Sequence, residues 1–130
     1  QEHDDALTGM GTTLSVLWMS DNFVYIGHVG DSRVYRYSET DGLRRVTRDH
    51  SLVQELVDTG RIDESEAAIH PQRNIITRAI GTAPDVEADV ETDEWEKDEI
   101  LLLCSDFRFW SGNCGSTWIH SDSGYGRIWI

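Results

Sequence analysis

Two cysteines among 130 residues, Cys104 and Cys114, are too few for a disulfide framework, and Cys104 lies in an apolar run that reads as a reduced core position. No apolar run approaches the length that crosses a bilayer, and the start, Gln1-Glu2-His3-Asp4-Asp5, is no signal peptide. With no Met there, it reads as mid-protein or processed. A cytoplasmic setting fits both absences. Basic residues are in deficit: 11 against 24 acids, a net charge of -13, which excludes a nucleic-acid or anionic-membrane surface because phosphates would be repelled. The same excess suits divalent cations, and it also simply keeps a protein dissolved. Internal repeats, zinc-ligand spacings and a phosphate-cradling glycine loop are missing too. What remains, 38% hydrophobic and 27% charged, is globular, and the length allows one domain with a real core.

The chain is organised around His28-Val29-Gly30-Asp31-Ser32-Arg33-Val34-Tyr35, which reads as strand, tight turn and strand. Gly30 supplies the positive φ of the turn, and Asp31 stands at a strand end. A carboxylate there either caps turn amides or holds a hard cation. A second one has the same setting: Ile100 to Cys104 is a buried strand that runs into Ser105-Asp106. Arg33 is expected to neutralise Asp31 across the turn.

Around this pair the pattern predicts an antiparallel meander, with strands over 12–18, 23–30, 33–38 and 43–47. Two short helices follow. Ser51 caps one with Leu52, Val53, Leu56 and Val57 on a face and Gly60 at its stop; Asp63 with Glu66 opens another, which ends before Pro71. A further short helix is expected over 74–80. From Val86 to Thr92 apolar residues alternate with acids, predicting a strand with an acidic, solvated outer face. Beyond Asp106 no periodicity persists, and Asp122 is the tail's only acid.

Gly9-Met10-Gly11-Thr12-Thr13, His28 to Tyr35, Thr47 to Val53, His70 to Asn74, Thr77 to Gly81 and Leu101 to Asp106 fall in the order and spacing that resemble the PPM-type (type 2C) metal-dependent protein serine/threonine phosphatases, bacterial branch. The resemblance implies an α+β fold, part of an αββα sandwich of antiparallel sheets flanked by helices. It implies a partial domain over 1–106, with a flap-like insertion at about 50–73. It implies hydrolysis of phosphoserine or phosphothreonine in proteins with Mn²⁺ or Mg²⁺, on substrates made by a serine/threonine kinase. Asp31 and Asp106 match metal ligands. Arg73 and Arg78 are candidates for substrate contact, and no residue is assigned to catalysis.

The family's upstream Asp-Gly pair, its early phosphate-binding arginine and its late Asp-Asn pair have no match in these residues. Phe107 stands where the family has glycine after Asp106. Residues 107–130 therefore read as a shifted frame or a fusion, and the chain as a truncated, weak or inactive form. Two alternatives stay open: a non-catalytic phosphoprotein-binding module on the same scaffold, and a fragment with no function of its own.

Overall fold

The computed structural model describes residues 8–105 and the backbone of 116–121 and 124–129. Asp106 therefore lies outside the described residues, as does most of the tail. Two β-sheets pack face to face. The first has the order β1-β2-β5, with β1 Leu14–Ser20, β2 Phe23–Val29 and β5 Asp89–Glu94, all antiparallel. The second has the order β4-β3-β6-β8-β7, from β3 Arg33–Ser38, β4 Gly42–Arg45, β6 Ile100–Cys104, β7 Ser116–Ser121 and β8 Gly124–Trp129. Its pairs are antiparallel except β6 with β8. The helices α1, Leu52–Asp58, and α2, Glu64–Ile69, lie between β4 and β5 in the chain. The fold is α+β. Among the described residues no helix is long and apolar enough to cross a membrane.

The core forms where the two sheets meet. Val24 and Ile26 of β2 pack with Val34 of β3, Leu101 of β6 and Trp95, all buried, and Leu17, Met19, Val46 and Leu103 fill in around them. Removing such side chains from water is the main force holding the sheets together, at about 25 cal/mol per Å² of apolar surface.

Local signals hold well. Ser51 caps α1 and accepts from the Gln54 N–H at 3.3 Å, and Gly60 just past it has φ +71°. Asp63 and Glu66 close a reciprocal capping box on α2.

Three expectations change. Residues 74–80 form no helix; turns are followed by single bridges from Ile76 to Ser51 and from Ile80 to Thr12. Those bridges satisfy backbone groups across long range, which periodicity cannot register. The tail, in which the sequence shows no period, contributes the paired strands β7 and β8. Finally, β5 starts only at Asp89. Asp89, Glu91 and Asp93 pair with His28, Ile26 and Val24, on the side those residues turn to the second sheet, yet Glu91 and Asp93 stay exposed, so those two acids are solvated as expected; Val90 opposes Gly27 and is 70% exposed.

Candidate metal and phosphate site

β3 and β6 run antiparallel with Arg33 opposite Cys104. The start of one strand therefore lies beside the end of the other, and the residues just outside both, Asp31 and Ser105, come to the same edge. They line a hollow of about 730 Å³ together with Arg33, Arg45 and Asp49, residues of α1 and α2, and Arg73 and Asn74. Asp106 follows Ser105 directly in the chain. Among the side chains at this hollow, the candidate ligands Asp31, Asp49, Ser51, Glu64 and Asn74 all offer oxygen, and among the described residues neither Cys nor His lines it.

The turn that carries Asp31 is tightly built. Gly30 has φ +110°, and a Cβ there would overlap the Thr13 side chain, so glycine is required twice over. Ser32 Oγ lies 2.7 Å from Thr13 Oγ1 and 3.5 Å from the Ser105 carbonyl. His50 holds Gly30 at both polar ends: its backbone N–H donates to the Gly30 carbonyl at 2.8 Å, and its Nδ1 accepts the Gly30 N–H at 3.0 Å.

Arg33 meets Asp49. Its Nε donates at 2.9 and 3.1 Å and its Nη2 at 2.6 Å, a bidentate pair that holds the guanidinium charged. The Asp49 hydrogen bond raises the Arg33 pKa against the opposing pull of burial. Sequence reasoning missed Asp49 because its sixteen-residue separation from Arg33 has no periodic signature.

Of the two candidate substrate arginines, Arg73 lines the hollow and donates from Nη1 to the His70 carbonyl at 3.2 Å. Arg78 does not line it; its Nη1 donates to Asp89 Oδ1 at 3.0 Å. Asp89 itself was assigned by pattern to a solvated face. It instead accepts from both Arg78 and His50, whose Nε2 lies 2.9 Å from Oδ2. Those hydrogen bonds, His50's first, hold the Asp89 carboxyl below the usual carboxylate range despite some burial.

No protein-family model matches the chain. Curated relatives and solved structures do. The serine/threonine phosphatase stp of Listeria innocua is 45% identical over 105 residues, which is 81% of this chain and 41% of that protein. The crystal structure of the Mycobacterium tuberculosis serine/threonine phosphatase PstP/Ppp superposes with a TM-score of 0.74 at 40% identity, covering 80% of this chain and 43% of that one. A structure of the catalytic domain of serine threonine protein phosphatase PstP in complex with two manganese ions gives 0.70 at 38% identity, covering 81% and 42%. Over about four fifths of its own length the chain is similar to bacterial serine/threonine phosphatases of the PPM type. It spans about two fifths of the length of the curated relatives it matches.

The donor set fits a hard divalent ion in kind, since such ions take oxygen ligands and the hollow carries the carboxylates Asp31, Asp49 and Glu64. In number it is incomplete: among the described residues no group of three or more His, Cys, Asp or Glu could hold an ion.

Proposed function

We propose that this chain is the middle of a metal-dependent protein phosphatase domain that hydrolyses phosphoserine and phosphothreonine monoesters in proteins. The observation that carries this reading is the β3–β6 register, which brings the Asp31 turn and Ser105 to one hollow beside α1 and α2. Asp31, with Asp106 next along from Ser105, would hold an ion there. Mn²⁺ or Mg²⁺, when bound, supplies a water of lowered pKa and neutralises phosphate oxygens. The chain's own residues have simpler tasks. Gly30, Thr13 and His50 hold the turn, Asp49 keeps Arg33 in place, and Arg73 offers a cation at the rim for a phosphopeptide. Arg78 has its charge directed at Asp89, and the reading gives it a share in substrate contact only through a change of partner.

The substrates in this reading are phosphoproteins made by a serine/threonine kinase, met in the cytoplasm. The net charge of -13 disfavours nucleic acid and anionic lipid as partners.

Two carboxylates cannot by themselves hold two ions, so hydrolysis belongs to the whole domain and the 130-residue chain is expected to turn over little. The test is Mn²⁺-dependent hydrolysis of a phosphothreonine peptide and of p-nitrophenyl phosphate. In the whole domain, Asp31→Ala should lower the metal-dependent rate by roughly tenfold or more. A rate indifferent to both manganese and Asp31 rules the reading out. Metal-independent capture of the phosphopeptide without turnover would favour the binding module instead.

A further inference from the structure

Asp89 and His50 lie outside the hollow, yet hydrogen bonds join them to Gly30, the residue that precedes Asp31. Asp89 sits at the first position of β5, in the first sheet. His50 sits between β4 and α1, is 2% exposed, and is fixed further by the Thr77 N–H donating to its carbonyl at 2.8 Å. Its Nδ1 accepts the Gly30 N–H, so the ring proton is on Nε2 and donates to Asp89 Oδ2. Arg78 Nη1 approaches Nε2 at 3.3 Å, but two donors cannot share that nitrogen; Arg78 and His50 both point their protons at Asp89 instead.

We infer that Asp89 and His50 are positioning residues for Asp31. The carboxylate selects the imidazole tautomer, and the imidazole with its own backbone N–H grips both polar groups of Gly30, from which Asp31 follows directly. The arrangement is that of a carboxylate orienting a histidine, with a turn amide as the object held. Each link is within 2.8–3.0 Å and two of the three residues are almost or fully buried, so the grip costs little entropy to maintain. The inference rests on the reading of Asp31 as a ligand only for its functional consequence; the grip itself does not.

The experiment is NMR of the ¹⁵N-labelled 130-residue chain and its variants, with MnCl₂ as the probe. In the unaltered chain the His50 ring should show Nε2 protonated and Nδ1 as an acceptor; the opposite tautomer overturns the inference without any variant having to fold. Asp89→Ala should shift the Gly30 and Asp31 amides and speed Gly30 amide exchange by about tenfold, while Tyr37 and Leu43 of the β3–β4 hairpin stay put. His50→Ala should do the same. His50→Asn, whose side-chain oxygen can take the place of Nδ1, should restore much of the protection; a role in packing alone would leave Asn no better than Ala. Unmoved Gly30 and Asp31 signals in Asp89→Ala overturn the proposal. Manganese should broaden Asp31 in the unaltered chain and broaden it less in Asp89→Ala at equal concentration, and equal broadening in both overturns the functional part. If manganese leaves Asp31 sharp in the unaltered chain, the metal reading fails while the tautomer and exchange measurements still decide the grip.

Discussion

His28 shows how one side chain can couple the core to solution conditions. It is 2% exposed, its Nδ1 lies 3.2 Å from Ser15 Oγ, and its Nε2 has no hydrogen-bond partner among the described residues. Burial lowers its pKa first, and the adjacent His50 ring, 4.9 Å away, lowers it further; the Arg48 backbone and the Asp49 and Asp89 carboxylates oppose them. A lowered folded value means that the unfolded chain takes up a proton more readily. The stabilisation is fully present above the ordinary value of 6.5 and is lost as pH falls through the lowered one. Denaturant midpoints measured from pH 7.5 downward should therefore fall below about pH 6.5. His28→Gln should flatten that slope, and a slope unchanged by the substitution would place its origin elsewhere.

Single elements in this protein are set by their ends more than by their length. With seven residues, α1 is too short to stand alone, so its cap and its contacts decide it. Ser51 is 3% exposed, caps α1, and its backbone bridges to Ile76. Ser51→Ala should destabilise the fold by about 1 kcal/mol in denaturant titration, with Ser51→Asp or Asn recovering most of it. The hairpin between β1 and β2 is likewise decided at its tip, where Asp21 takes φ +42°, a conformation open to Asp and Asn because their side chains bond locally. Both elements were legible because caps and turns are chemistry between near neighbours in the chain.

At the scale of the whole molecule, two polar ties to β5 stand beside the apolar core. One is Asp89 with His50 and Arg78. The other is Arg36 of β3, whose Nε and Nη2 meet Glu99 at 2.8 and 2.5 Å and whose Nη1 meets Asp93 of β5 at 2.7 Å, with the Glu94 carbonyl also accepting from it. Burial, the strongest single influence, would raise the Glu99 carboxyl; Arg36 and the Glu96 backbone N–H together outweigh it and hold the carboxyl below its ordinary range. Both side chains of that pair are 11% exposed. Removing one partner strands a charge, so Arg36→Met should cost about 3 kcal/mol, and adding Glu99→Gln should recover part of the loss in a double-mutant cycle. The outer face of the first sheet carries Leu14, Val16, Trp18, Phe23, Tyr25 and Val90, all at least 40% exposed, an apolar surface out of proportion for an outer face.

What the residues alone determined was local and repetitive: the meander strands, both helix caps, the glycine turn before Asp31, and the family likeness carried by six short blocks. Those features follow from interactions within a few positions, which spacing records directly. What only the tertiary structure decided was which partner each polar side chain takes. Arg33 meets Asp49, Arg36 meets Glu99, and Asp89 meets His50 across 39 positions. The faces of β5 were likewise unreadable in advance. A strand's alternation marks two sides but not which is inward; here Arg78 and Arg36 come from elsewhere in the chain to meet Asp89 and Asp93, and Glu91 stays exposed to water.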